Sequence, residues 1–340
     1  MHEIVFLTAV LVLAISFPLW LLLSLVTVLG RLRYDRRQRL GAKTPSARHV
    51  RRLLKRALEK PRTEIGEWRR IAALNRLARM EHPATAHVLY HALWGDDDKA
   101  AAAAVRCLGG LGSPWAIELL VAAMRGGRVP RSRIASQLER LYPEPAFLLL
   151  PLLRDPDPAV RFWGATLLGP YENLGEGDLV ELARDEDANV RAAAVEALGN
   201  RKSEEAAEAT VALLDDAAWF VRVHAARAAG HAAGPDAAPA IARLLGDERW
   251  WVRTAAKDAL EGLGKDAAEA LVPILTSRDR FARNRAAEVL QDIGLVDFLA
   301  LAHPGSSLLA RIYAAGGPRF REAAEARAAR ARETMEEQAA

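Results

Sequence analysis

The dipeptide Val-Arg returns at Val160-Arg161, Val190-Arg191, Val221-Arg222 and Val252-Arg253, and Ala282-Arg283 closes the series, at steps of 30, 31, 31 and 30 residues. A fixed period of this length restricts the chain to repeat architectures, in which each supersecondary unit buries its apolar face only against its neighbours. Such stacks present extended surfaces, so the period predicts a binding protein before it predicts an enzyme.

Each period carries more than the dipeptide. An acid stands five positions before the Val at Asp155, Asp185, Asp216 and Asp247, and three before Ala282 at Asp279. That placement suits the first turn of a helix, where a carboxylate accepts hydrogen bonds from unpaired amides and opposes the positive end of the dipole. Four residues after the Val or Ala comes a small residue: Gly164, Ala194, Ala225, Ala256 or Ala286. Leu168, Leu198, Ala229, Leu260 and Leu290 follow four positions later, on the same helical face. Gly169, Gly199 and Gly230, and a few residues later in their units Gly264 and Gly294, are expected as left-handed caps. A second helix is then predicted from the apolar spacing of 209–214, 240–245 and 270–275, which makes each unit a helical hairpin.

The order of acid, Val-Arg, Ala-Leu-Gly and second helix resembles the bacterial HEAT-repeat family over Asp155 to Gly294, in particular the short repeats first named from phycobilisome lyases. Weaker copies lie upstream, at Asp97 to Gly109 with a second helix opening at Ser113-Pro114, at Trp68 to Leu77, and at Arg131 to Leu141. The expected fold is all-α, an α-solenoid of about eight HEAT-like hairpins preceded by one transmembrane helix.

The transmembrane reading rests on Ile4 to Gly30, 27 residues without a charge. At 1.5 Å per residue such a helix spans ~40 Å, more than the ~30 Å hydrocarbon core. A cleaved signal peptide wants positive charge before a shorter apolar run, whereas here Met1-His2-Glu3 precedes it. Arg31, Arg33, Arg36, Arg37 and Arg39 follow, which by the positive-inside rule places the N-terminus outside and the repeats in the cytoplasm of a bacterial cell. Residues 31–62 hold 13 Lys or Arg against Asp35 and Glu59, so the sequence pI of 9.4 is a juxtamembrane property and the repeats are acidic. A basic segment there suits anionic lipid headgroups and removes the reason to expect nucleic acid. The expected organisation is 1–30 signal anchor, 31–62 basic tether with a lipid-facing, partly helical stretch from Ser46 to Lys60, 63–316 solenoid, and 317–340 polar C-terminal capping helix.

No constellation in the sequence specifies a reaction. The single Cys107 excludes an intrachain disulfide and fits a reducing compartment. His87 and His91 have the i, i+4 spacing that can present two imidazoles to one metal, without an evident third ligand. Iron-binding HEAT-like hydroxylases carry repeated His-Glu pairs, and here His-Glu occurs only at His2-Glu3. Gly109-Gly110-Leu111-Gly112 follows a helix and not a strand, the wrong setting for cradling a phosphate. What remains is a surface pattern: Trp219-Phe220, Trp250-Trp251 and Phe281 stand before the repeated dipeptide of three successive units, beside Arg222, Arg253 and Arg283. This strip reads as a protein-binding edge. The alternative for its arginines is a ladder to the acids of adjacent turns. The chain is therefore expected to be a non-catalytic membrane scaffold without cofactor, whose cytoplasmic solenoid binds a membrane-associated protein. The competing expectation is an enzyme subunit with a metal or pigment site on the solenoid.

Overall fold

The structure is a computed structural model and describes residues 46–80 and 82–339. Among the described residues all regular structure is helical, in two compact units divided between residues 80 and 81. No helix among them is long and apolar enough to cross a membrane. The charge-free stretch 4–30 and the cluster Arg31, Arg33, Arg36, Arg37 and Arg39 lie outside the described residues.

The first unit is a hairpin of α1 (Ala47–Leu58) and α2 (Glu64–Arg79). Ser46 Oγ accepts from the His49 amide at 3.4 Å and Thr63 Oγ1 from the Gly66 amide at 3.2 Å, so a hydroxyl opens each helix. Arg70 Nε donates to the Ala57 carbonyl at 3.0 Å and ties the end of α1 to α2. Val50, Leu53 and Ala57 are buried where α1 packs on α2. The apolar positions of 46–60 are thus used inside the hairpin, and α1 turns Arg48, Arg51, Arg52, Lys55 and Arg56 to solvent together with Leu58 at its end.

The second unit begins with α3 (Thr85–Trp94), which packs on α4 (Asp98–Leu111). Hairpins follow in register. α4 pairs with α5 (Pro114–Gly126), and α6 (Arg131–Glu139) precedes the short α7 (Ala146–Leu149) with its 3₁₀ extension Leu150–Leu152. α8 (Pro158–Leu168) is followed by α9 (Glu176–Leu182), and α10 (Ala188–Leu198) by α11 (Glu204–Ala212). α12 (Trp219–Ala232) is followed by α13 (Ala238–Arg243), α14 (Trp250–Leu263) by α15 (Ala268–Leu275), and α16 (Arg280–Asp292) by α17 (Leu295–Ala302). The first helices of successive hairpins pack on one another, α8 on α10, α10 on α12, α12 on α14 and α14 on α16.

The repeated Val is the pin of this stack. Val160, Val190, Val221 and Val252 are completely buried, as are Ala194, Ala225, Ala256 and Ala286 one turn later, where a small side chain lets the helices approach. The glycines act differently from the expectation. Gly264 and Gly294 have positive φ, but Gly169 and Gly199 are right-handed and Gly230 lies inside α12. Gly199 does end α10, in right-handed conformation, and is needed for space: a Cβ there would lie 2.9 Å from the Ala228 Cα of the next hairpin. Gly199→Ala is therefore expected to destabilise by roughly 1–3 kcal/mol through overpacking, read as a lower urea midpoint with an unchanged slope.

The last helix, α18 (Ser307–Ala339), bends at Gly317 (φ 80°, ψ 176°), immediately before Pro318. Beyond the bend Ala324 and Ala328 are buried, Arg327 Nε reaches Asp297 Oδ1 at 3.2 Å, and Arg332 donates to the Ala300 carbonyl at 2.7 Å. The arm that follows Pro318 thus lies over α17, with its polar face outward.

Candidate functional site: the loop edge of the repeats

Each hairpin returns to the next through a short loop, and the residues of the repeated motif converge there. Of the recurring acids only Asp279 proves to be a helix cap. Asp157, Asp187 and Asp279 hold the N-cap positions and accept from the amides of Ala159, Asn189 and Phe281 at 2.9, 2.7 and 2.7 Å. Asp155, Asp185, Asp216 and Asp247 stand two residues earlier, where each carboxylate accepts the amide two positions on, at 2.8–3.1 Å. Their remaining lone pairs face the preceding hairpin.

The repeated arginines meet them there. Arg161 grips Asp185 through Nε and Nη2 at 2.7 and 2.9 Å, Arg191 grips Asp216 at 2.7 and 2.9 Å, and Arg222 grips Asp247 at 2.8 and 3.1 Å. The third nitrogen, Nη1, donates to two carbonyls of the arginine's own loop, as Arg191 does to Asp185 and Glu186 at 2.8 and 3.1 Å. One guanidinium therefore fastens two loops with its planar donor fork, a task a lysine ammonium has the wrong shape to perform. The partners are largely buried, the Asp216 side chain being only 6% exposed. Burial pushes the Asp185 and Asp216 carboxyls up, but the arginine fork, the loop amide and the neighbouring guanidinium charges outweigh it and hold both below the usual carboxylate range. The hydrogen bonds to these acids raise Arg161 and Arg191 in turn.

This ladder corrects the place given to Arg222 on the binding strip, since its guanidinium is committed to Asp247. The ladder ends at Arg253, because the next acid position is Ser277. Arg253 Nη1 still donates to Asp247 and Glu248 carbonyls, and its guanidinium lies 5.4 Å from the centre of the Phe281 ring. Arg283 Nη1 likewise donates to the carbonyls of Ser277 and Arg278 at 2.7 and 3.1 Å. In place of the missing rung, Lys257 bridges α14 and α16 with Nζ 2.8 Å from Asp292 Oδ2 and 3.5 Å from Glu288 Oε1. Burial opposes the charge of Lys257, and the bonds to Asp292 and Glu261 overcome it and raise its pKa.

The aromatic residues of the strip occupy the first turns of α12, α14 and α16 in two registers: Trp219 aligns with Trp250, and Phe220 aligns with Trp251 and Phe281. Trp219, Trp250, Trp251 and Phe281 are 39%, 49%, 60% and 65% exposed, with Phe220 half-buried beside Trp219. The Trp250 and Trp251 rings meet edge to face at 4.6 Å, and Trp219 and Phe220 at 5.9 Å. The innermost positions of these turns are held by the buried Val221, Val252 and Ala282.

The other candidate positions are elsewhere in the second unit. His87 and His91 are exposed on α3 with ring centres 4.4 Å apart, and Tyr90 stacks on Trp94 at 4.6 Å on the same helix. Among the described residues no group of three or more His, Cys, Asp or Glu is placed to hold a metal ion. Cys107 is buried in α4. His224 Nδ1 lies 3.3 Å from Glu196 Oε2 of the preceding hairpin and draws that carboxyl below its ordinary range.

One residue gave no signal in the sequence. Arg201, in the polar run Asn200-Arg201-Lys202-Ser203, is 1% exposed and donates to the carbonyls of Leu168, Tyr171 and Leu174 at 3.2, 3.0 and 3.1 Å, and also to that of Ala197. It ties the end of α8 and the loop after it to the next hairpin. Burial lowers its pKa from the ordinary arginine value.

A family model for HEAT repeats matches residues 145–222 and 207–291, the span that carries the ladder. No curated protein matches the chain. Among solved structures the chain is similar to an engineered protein, with 20% identity over 82% of this chain and 92% of that one, TM-score 0.41. It is also similar to human deoxyhypusine hydroxylase in complex with glycerol, with 22% identity over 73% and 96%, TM-score 0.32. A structure of Kap95p with RanGDP shares 18% identity over 77% of this chain and 43% of that one, TM-score 0.49.

Proposed function

We propose that this chain, whose residues 145–291 carry HEAT repeats, is a non-catalytic membrane scaffold that holds a partner protein against the loop edge of its repeats. The observation that carries the reading is the exposure of Trp219, Trp250, Trp251 and Phe281 at the two positions before the repeated Val or Ala of three successive hairpins. Large rings left in water at a regular spacing, beside half-exposed Arg253 and Arg283, have the composition of binding hot spots. The Arg222–Asp247 rung between the first two of these hairpins and the Lys257 bridge between the last two keep that spacing fixed, so a partner meets a preorganised surface.

In this reading Ile4 to Gly30 is the anchor and Arg31, Arg33, Arg36, Arg37 and Arg39 hold the N-terminus outside a bacterial inner membrane, leaving the repeats in the cytoplasm. Anchoring turns a three-dimensional search into a local one and raises the effective concentration of a partner in the same membrane.

The test replaces Trp219, Trp250 and Trp251 by alanine in the full chain and compares partner recovery by in-cell proximity labelling with thermal stability. Hot-spot rings contribute about 2 kcal/mol or more each, so recovery is expected to fall more than tenfold. Half-exposed rings contribute little to folding, so the melting temperature is expected to move by only a few degrees, about what 1 kcal/mol does in a domain of this size. Undiminished recovery from the variant sinks the aromatic edge as the docking surface.

A further inference from the structure

The turn that joins α1 to α2 gathers charge and exposed apolar surface in a way the hairpin's own stability does not require. A recess of about 460 Å³ opens there, lined by Arg56, Lys60, Arg62, Arg69 and Arg70 against the single acid Glu59. Arg70 is the buried member of the set, fixed by its bond to Ala57, and the other four cations are exposed. Around the same turn Leu58, Ile65 and Trp68 are 47%, 65% and 69% exposed. A folded hairpin that has already buried Val50, Leu53 and Ala57 has no internal use for three large apolar side chains in water.

We propose that this end of the hairpin docks on the bilayer surface, with the recess taking the phosphate of an anionic phospholipid headgroup while Leu58, Ile65 and Trp68 enter the interface. This deepens the membrane-scaffold reading and rests on it. Cations suit the negative leaflet and its phosphates, and a Trp flanked by aliphatic side chains suits the boundary between headgroup and acyl chain. A free phosphate ion accounts for the recess and leaves the apolar tip unexplained. A nucleic acid strand accounts for the cations and Trp68, but Leu58 and Ile65 offer no ring for a base to stack on. The position in the chain also favours a lipid. Residues 31–45 separate the charge-free stretch from Ser46, and at ~3.6 Å per residue at most they let the hairpin lie within ~54 Å of the membrane surface.

The experiment uses the full chain carrying Cys107→Ala and Glu64→Cys, labelled at position 64 with an environment-sensitive fluorophore and placed in nanodiscs. In phosphatidylcholine–phosphatidylglycerol discs the emission is expected to shift to the blue and to be quenched by a spin-labelled lipid, and in pure phosphatidylcholine discs it is expected to do neither. Replacing Arg56, Lys60, Arg62 and Arg69 by Gln is expected to lower the docked-to-free ratio roughly fivefold per cation removed, hence several hundredfold in all. Trp68→Ala is expected to weaken quenching while leaving the lipid dependence in place. A blue shift that ignores lipid composition means the tip packs on protein, and a response in phosphatidylcholine discs to added inorganic phosphate alone means the recess binds the free ion; either overturns the proposal, as does an unchanged response in the Gln variant. If the chain fails to enter discs, the anchor has failed and docking is then read by flotation with vesicles of the same two compositions. Flotation confined to the anionic vesicles and lost in the Gln variant upholds the docking surface, and its absence overturns it.

Discussion

Asp216→Ala is expected to lower the unfolding free energy by about 3 kcal/mol, because it strands the Arg191 guanidinium, half-buried between hairpins, without its carboxylate. The residual bonds of Arg191 to the carbonyls of Asp185 and Glu186 hold the side chain in place, so it cannot swing out to recover water. Replacing both partners, as Arg191→Met with Asp216→Leu, is expected to cost roughly 1 kcal/mol or less, since two desolvated charges are removed together. The double-mutant cycle isolates the rung, and a coupling below ~0.5 kcal/mol would show that the ladder is ornament. Acid should have the same effect as the single substitution. The folded-state pKa values of Asp185 and Asp216 lie below the unfolded value near 3.9, so their stabilisation is fully present above about pH 4 and is lost as pH falls through the depressed folded values. Unfolding midpoints measured from neutrality to pH 3 are expected to drop at the acid end, and to drop less in the double variant.

That rung explains both what the sequence makes legible and what it conceals. The period and the buried Val are read directly, because a residue that packs against its own image in the next unit must recur at the unit length. The partnership of Arg and Asp is half-legible. Both recur, but sequence distance pairs each Asp with the helix that follows it, whereas the structure pairs it with the arginine of the hairpin before, 24 or 25 residues away. Asp279, which looks like a displaced copy of the acid, is an N-cap equivalent to Asp157 and Asp187, and the true ladder position in that unit is Ser277. The glycines mislead for a similar reason: a close approach and a left-handed turn both call for glycine, and only the coordinates of Ala228 tell them apart. Exposure of the aromatic edge follows from a simple count, since the first turn of each helix has one inward position and the Val holds it.

The ladder also has a direction that bears on the aromatic edge. Its rungs run from Arg161 to Asp247 and stop where the exposed rings become densest, at Trp250, Trp251 and Phe281. Arg253 is left facing a ring where its counterparts face carboxylates, and the load between α14 and α16 passes to Lys257. Restoring the rung with Ser277→Asp should therefore draw Arg253 away from Phe281 and test whether that arginine belongs to the partner surface. If recovery of the partner falls while stability rises, the missing rung serves binding.

The largest single effect is expected at Arg201. Arg201→Ala should cost about 4 kcal/mol, placing it among the severe core substitutions although it replaces the most polar of side chains. The alanine leaves the carbonyls of Leu168, Tyr171 and Leu174 without the donor that now satisfies them, in a site with 1% of the parent side chain in contact with water. Each orphaned buried carbonyl costs roughly 1–3 kcal/mol, and the emptied volume adds to that. Arg201→Lys should recover only part of the loss: the carbonyls of Leu168, Tyr171 and Leu174 all surround Nη2, a place one ammonium can take, but the second bond, from Nη1 to the Ala197 carbonyl, has no counterpart in lysine. Glu172 and Glu176 favour the charge from nearby, so Arg201→Met, which keeps the volume and loses the charge, should stay close to the alanine variant. Hydrogen exchange gives the sharper readout. In an α-solenoid each hairpin leans only on its neighbours, so loss of Arg201 should raise exchange first at the end of α8 and in residues 169–175, ahead of α14 and α16. Uniform loss of protection along the whole stack would mean that Arg201 acts on global stability and not as the local tie its bonds describe.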